Sequence, residues 1–246
     1  MGLKREFENQ GNWLFRWRSY FPALFLPLVL LAFVGYHYPF GSYQLHEQWE
    51  SMCLAISVLG LAIRAGTIAY TPADTSGRNT KEQVAASLNT TGIYSLVRHP
   101  LYLGNYLIVL GAILAPGVWW LPVVFTLAFW LYYERIMFAE ETFLRNKFGE
   151  EFTSWAAATP AFVPRLTGWR PNRLPGCWKN VLKREYTALM MLVLLHTGME
   201  FVEHLVIDRR VVYEPFWVAF LIIGTLTYLA LRALKRHTSL LNSAGR

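Results

Sequence analysis

The side chains in this sequence that could do chemistry fall in a few short runs. The densest is GIYSLVRHPLYLGNY, residues 92–106. Arg98 and His99 stand directly before Pro100. Proline suits the first position of a helix and disfavours helix in the residue before it, so His99 should sit at a helix entrance. That end carries free N–H groups and partial positive charge, and would stabilise a carboxylate or phosphate. Gly104 and Asn105 follow one turn later. Glycine there admits another backbone or a ligand at close range. The same residues also read as an ordinary helix start with a basic anchor at a membrane interface. The second run is Glu140-Glu141. Neighbouring helical residues point about 100° apart, so the two carboxylates can flank one ligand but not aim at one atom. A solvated acidic face is the plainer alternative.

Arg64 lies within an apolar stretch, six residues before Tyr70. An arginine there either meets a lipid phosphate or carboxylate or reaches back to the interface. His196, Glu200 and His204 recur every four residues, with Glu203 beside them. That spacing lines up one helix face, as metal ligands could be, and equally suits a polar seam bonded to neighbouring helices. No metal ligand is assigned from the sequence.

These residues must be positioned by helices that cross a bilayer. A helix needs roughly 20 apolar residues to span about 30 Å of hydrocarbon. Stretches 20–38, 49–70, 185–206 and 214–234 approach that length, and a shorter pair, 101–115 and 118–133, meets at Pro116-Gly117. Proline and glycine side by side mark a tight turn, so the pair reads as a helical hairpin. Its arms reach full length only if helix continues outward to Tyr94 and to Glu134. An amphipathic helix then begins at Glu134, with Ile136, Met137, Phe138, Phe143, Leu144 and Phe148 facing the membrane domain. The expected fold is all-α and polytopic, with about six spans. Residues 1–70 hold the N-terminal spans, 71–170 the hairpin and its polar flanks, and 171–246 a loop and two spans.

Charge and composition agree with this. With the N-terminus inside, the inner segments 1–19, 71–98, 134–184 and 232–246 hold four, three, nine and four Lys or Arg, all but three of the 23. Basic residues are retained on the cytoplasmic side, which puts both termini and the polar chemistry there. Charged residues are only 16% of the chain, against about 25% in soluble domains. The net charge of +7 is spread between apolar spans, not gathered in a stripe, which argues against nucleic acid as a partner. Cys53 and Cys177 make neither a disulfide framework nor a zinc site. The first apolar stretch has no small-residue cleavage site after it and reads as a retained span.

Taken in order, Gly92-x-Tyr94-x-x-x-Arg98-His99-Pro100-x-Tyr102-x-Gly104, a hairpin, Glu140-Glu141, Phe148-Gly149-Glu150-Glu151-Phe152 and Pro160-x-Phe162-x-Pro164 resemble the isoprenylcysteine carboxyl methyltransferase and phospholipid methyltransferase superfamily, over about residues 60–165. The resemblance implies S-adenosylmethionine in a pocket roofed by the segment after the hairpin. Tyr94, His99, Pro100, Tyr102, Gly104, Asn105, Glu140 and Glu141 would contact it, with His99 and Tyr102 at its methionine end and the glutamates at its ribose or amino group. Arg98, with Arg64, is the candidate for orienting an anionic substrate. It further implies a lipid or lipidated acceptor; because the sequence shows no base stronger than Glu140, Glu141 or His99, a carboxylate or phosphate oxygen is favoured over an amine. Spans 185–234 fall outside the match, so the acceptor stays open. A membrane reductase of sterol-reductase-like architecture using NADPH and a small non-enzymatic membrane protein are the competing readings. Neither the oligomeric state nor the particular membrane, bacterial inner membrane or endoplasmic reticulum, can be read from the chain.

Overall fold

The computed structural model describes residues 2–34, 36, 38, 42–72, 75, 83–207, 209–210, 214–243 and 245. Its described elements are all helical: α1 (Leu3–Trp17), a 3-10 segment (Arg18–Phe25), α2 (Leu26–Ala32), α3 (Tyr43–Ala69), a 3-10 turn (Gly92–Ser95), α4 (Pro100–Leu114), α5 (Trp120–Phe148), α6 (Glu150–Ala158), α7 (Trp178–Ile207) and α8 (Pro215–His237). Five helical stretches are long and apolar enough to cross a membrane, and α4 is a shorter apolar sixth. The chain is thus all-α and polytopic, as the hydropathy pattern indicates.

Three boundaries differ from the sequence expectation, each for a local reason. The first span is not 20–38. A continuous helical path starts at Leu3 and ends at Ala32, tightening to 3-10 geometry around Pro22. Pro22 has no N–H and removes one bond from the helical ladder there, and the segment ends on the three-residue bond from the Leu26 N–H to the Ala23 carbonyl. The expected end of this span falls partly among residues outside those described. Second, the amphipathic helix expected from Glu134 is the continuation of the hairpin's second arm. Pro122 sits in the first turn, where its missing N–H costs no helical bond, no breaker follows it up to residue 148, and the helix stops only where Gly149 takes φ +53°. A change from apolar to polar side chains does not end a helix; a residue in the left-handed region does. Third, the first arm does not extend back to Tyr94. It begins at Pro100, because the residue before a proline is pushed out of the helical region.

The hairpin is bound to α3 at close range. A Cβ on Gly60 would lie 2.6 Å from the Gly104 carbonyl oxygen and 2.8 Å from the Ile108 backbone nitrogen. Small residues let membrane helices approach until their backbones touch. At the far end of α4, Trp49 donates its indole N–H to the Leu114 carbonyl at 2.9 Å. On the other flank of α5, a ladder of rings (Phe21, Phe25, Phe125, Phe129, Tyr133) forms the core against the N-terminal helices. Most of these rings meet edge-on, as Phe21 does on Phe129 at 5.9 Å between centroids and 78° between planes, and Phe129 stacks on Tyr133 at 4.1 Å. Near the pocket described below, Arg135 Nε donates to Gln10 Oε1 at 2.8 Å, tying α1 to α5.

Gly60→Leu should lower the thermal stability of the detergent-solubilised chain by about 1–3 kcal/mol, as overpacking does. Gly198→Leu, whose added Cβ meets nothing within 4 Å, should change it little. Equal melting shifts for the two would contradict the close α3–α4 contact.

Candidate functional site

Residues 92–99 owe their shape to a strand-like partner. The Gly92 N–H donates to the Arg170 carbonyl at 2.8 Å, Arg98 N–H to Pro160 at 2.9 Å, His99 N–H to Ala161 at 3.1 Å, and Arg165 N–H returns to Leu96 at 3.0 Å. Trp155 adds an indole N–H to the Tyr94 carbonyl at 3.1 Å. The proline-spaced tail Pro160–Pro164 is therefore the clamp that holds the histidine loop. Prolines at both ends keep it out of helix, so its carbonyls stay available for pairing.

His99 caps α4 and projects between the two glutamates of α5. Its Nε2 lies 3.0 Å from Glu141 Oε1, and its Nδ1 3.5 Å from Glu140 Oε2. One turn on, the Tyr102 hydroxyl donates to Glu140 Oε1 at 2.6 Å. The His99 and Tyr102 rings stack, 5.7 Å apart and tilted by 17°. The carboxylates do flank one group, as their 100° offset requires, and that group is the imidazole. Burial disfavours the charged ring. Hydrogen bonds and attraction from Glu140 and Glu141 outweigh it, and hold the His99 pKa above 6.5. Burial and the nearby Glu140 likewise push the Tyr94 phenol up.

Arg98 donates from Nε to Glu141 Oε1 at 2.8 Å, and from Nη1 to the carbonyls of Ala156 and Thr159, both at 2.7 Å. It braces α5 and the end of α6 against the histidine loop. Arg98, the candidate for orienting a substrate anion, also lines the cavity described next. Arg98 and His99 converge on one oxygen of Glu141 and leave Oε2 unused by either. Arg64 also has its partner within the chain. Nε and Nη2 form a fork on Glu185, at 2.6 and 2.9 Å, and Nη1 donates to Asn105 Oδ1 at 2.6 Å. Neither a lipid anion nor the interface is needed to account for it.

These groups surround a cavity of about 600 Å³, within the range of small-molecule sites. Tyr94, Arg98, His99, Glu140 and Glu141 line one part, together with Phe152 and Trp155 of α6. Phe21, Pro22, Val109, Phe129, Tyr133 and Met191 line another, apolar part. Tyr102, Asn105, Arg64 and Glu185 lie on its wall. Two expected contacts are absent from the lining. Gly104 turns its open face to α3, where a Cβ would strike the Arg64 side chain and the Gly60 carbonyl, so its small size serves helix packing. Pro100 is buried in the helix start. Glu185 was not singled out in the sequence. Its signal was there: a lone carboxylate opening an apolar span, opposite a lone arginine within another.

Residues 52–151 match the family model described as phospholipid methyltransferase. The chain is 34% identical over 143 residues to the cobalt-zinc-cadmium resistance protein CzcN of Cupriavidus metallidurans, covering 58% of this chain and 63% of that one. It is 33% identical over 130 residues to the nickel-cobalt-cadmium resistance protein NccN of Alcaligenes xylosoxydans, 51% of this chain and 58% of the other. It is 25% identical over 124 residues to the protein-S-isoprenylcysteine O-methyltransferase of Schizosaccharomyces pombe, 48% of this chain and 50% of the relative. The matches thus span between half and two thirds of these relatives' length. No solved structure matches the chain.

Two outcomes follow from the geometry. The raised His99 pKa means the folded state binds that proton more tightly than the unfolded chain. The resulting stability is complete below 6.5 and is lost as pH rises through the folded value. His99→Gln should therefore flatten the alkaline fall in melting temperature; an unchanged slope would exclude His99 as its source. Arg64→Met alone should destabilise by about 3–5 kcal/mol by stranding the Glu185 carboxylate, and adding Glu185→Leu should recover most of it. If the double variant is no more stable than the single, the pair is not what the substitution breaks. The motif order, the matched segment and the membrane helices agree: residues 52–151 of this chain match the phospholipid methyltransferase family model, and about half of the chain is similar to a protein-S-isoprenylcysteine O-methyltransferase.

Proposed function

We propose that the chain is an integral-membrane methyltransferase that takes its methyl group from S-adenosylmethionine and delivers it to a lipid or lipidated substrate. The observation that carries this reading is the two-sided cavity. Its part lined by the half-buried Glu140 and Glu141 suits a cationic, hydroxyl-rich donor, and its apolar part suits a hydrocarbon chain. S-adenosylmethionine supplies a methyl group on a sulfonium, which a nucleophile takes by in-line displacement as the C–S bond breaks.

The chain's own residues position and enclose. Glu141, through the oxygen that Arg98 and His99 leave unused, and Glu140 are the acceptors for the donor's ammonium or ribose hydroxyls. His99 and Tyr102 set where those carboxylates stand. Phe152 and Trp155 limit access of water. With a carboxylate or phosphate oxygen as nucleophile, charge is neutralised in the transition state, a step favoured in a low-dielectric pocket, and no base is needed. An amine acceptor would first lose a proton, for which His99, Glu140 and Glu141 are at hand. The metal-resistance names of two relatives connect the reaction, in this reading, to the membrane's response to divalent metals.

Calorimetry on the purified chain should show S-adenosylhomocysteine binding and none by NADPH. Glu141→Ala and His99→Ala should each weaken that binding by about 10- to 100-fold, the worth of a charge-assisted hydrogen bond of about 1.5–3 kcal/mol. Membranes given methyl-labelled donor should carry label in a lipid or lipidated fraction, base-labile if the acceptor is a carboxylate. Binding of NADPH in place of S-adenosylhomocysteine would overturn the proposal.

A further inference from the structure

At the other end of the molecule a second polar cluster is assembled that methyl transfer does not use. His46 and Glu50 lie near the start of α3; Glu200, Glu203 and His204 lie in the last turns of α7; Glu214 precedes α8. Eighteen residues separate Glu203 from Glu185 along α7, and eighteen separate His46 from Arg64 along α3. At 1.5 Å per residue the cluster stands about 27 Å from the Arg64–Glu185 pair at the cavity wall. His196, which shares the four-residue spacing, takes no part; its Nε2 lies 2.8 Å from Ser57 Oγ. The tertiary structure therefore replaces the single-helix seam with a set drawn from three elements.

The cluster is two triads. In the first, His46 Nε2 lies 2.7 Å from Glu203 Oε1 and 3.5 Å from Glu50 Oε1. In the second, His204 Nε2 lies 2.9 Å from Glu200 Oε1 and 3.5 Å from Glu214 Oε1. Within each triad the donor atoms lie within 4.8 Å of one another. Glu50 and Glu200 touch, so the triads adjoin. Four of the six residues are nearly inaccessible, His46 at 1%, Glu203 at 3%, His204 at 6% and Glu200 at 7%. The second oxygen of Glu200, Oε2, is buried and has no hydrogen-bond donor among the described residues.

We infer that these adjoining triads bind a divalent first-row transition metal ion of the zinc and cobalt class. Three-atom sets of carboxylate oxygen and imidazole nitrogen stand within 4.8 Å of one another in a poorly hydrated place, and the buried Glu200 Oε2 has no donor among the described residues, so a bound cation would meet ligands already gathered. Mixed imidazole nitrogen and carboxylate oxygen donors suit zinc and its neighbours, whereas calcium and magnesium prefer oxygen alone. Ligand atoms about 2 Å from an ion stand at most about 4 Å apart, so each triad needs to contract by less than about 1 Å. The outer support is present as well. The Tyr36 hydroxyl lies 3.0 Å from His46 Nδ1 and can take its proton, which turns Nε2 toward the carboxylates as a ligand.

The test uses the full-length chain without a histidine tag, purified in detergent, stripped with EDTA and titrated with Co²⁺. Visible d–d absorbance should rise to saturation and be lost when Zn²⁺ displaces the cobalt. Glu200→Gln and Glu203→Gln should each weaken binding at least tenfold, and together remove the saturable signal. Glu140→Gln with Glu141→Gln, at the cavity, should leave it unchanged. Melting temperatures in EDTA identify variants that remain folded, and Glu203→Asp replaces any that do not. The absence of a saturable cobalt spectrum in the unaltered chain would overturn the inference, as would equal affinity in folded Glu200 and Glu203 variants, or loss of the signal in the Glu140/Glu141 variant. None of these readings depends on methyl transfer, so failure here and failure of the proposed activity are distinguishable.

Discussion

A buried imidazole placed between two carboxylates constrains most of what surrounds the cavity. His99 can stand between Glu140 and Glu141 only if α4 begins at Pro100, and only if α5 runs on unbroken past the apolar stretch that spans the membrane. It further requires that the turn and loop before Pro100 be held in place, which the backbone pairing with residues 160–170 and the Arg98 fork accomplish. Charge-assisted hydrogen bonds in a site shielded from water are stronger than their counterparts at a surface, and costly to leave unmade. Helix start, helix length, loop and tail are therefore coupled through one side chain.

The cavity wall is built by a different device. Gly60 and Gly104 let α3 and α4 touch backbone to backbone, and that contact brings Arg64 to Asn105 and to Glu185 of α7. Packing of small residues sets the distance, and the ion pair then fixes which face of α7 turns inward. An unpaired arginine or glutamate at that depth would be expensive, so each is explained by the other. The same logic governs the opposite end of α3 and α7, where carboxylates and imidazoles from three elements meet. Helices α3 and α7 thus carry charge at both ends and apolar residues between, and both sets of polar contacts depend on one helix–helix alignment.

The sequence alone was enough for the membrane helices, the Pro-Gly hairpin, the entrance position of His99 and the identity of the methyltransferase-like motif. These depend on properties local in the chain: apolar run length, the missing N–H and fixed φ of proline, and residue order. The offset of Glu140 and Glu141 was legible too, because the angle between adjacent helical residues does not depend on context, but that they flank His99 was not. It misjudged where helices stop. A boundary between apolar and polar side chains resembles a helix end, but α5 ends at Gly149, where the backbone itself changes hand.

Only the tertiary structure decided partners. Gly104 could have faced a ligand or a helix, and which it faces depends on how α3 lies across α4. Arg64 and Glu185 are 121 positions apart, and His46 and Glu203 further still. Nothing in local spacing selects such pairs; they follow from helices packed so that buried charges of opposite sign meet. The four-residue rhythm of His196, Glu200 and His204 marked a polar helix face truthfully, but which of its members join, and with what, was settled by α3 and by the residue before α8. Periodicity defines a face within one helix, whereas a site needs side chains from several, and their meeting is a property of the fold.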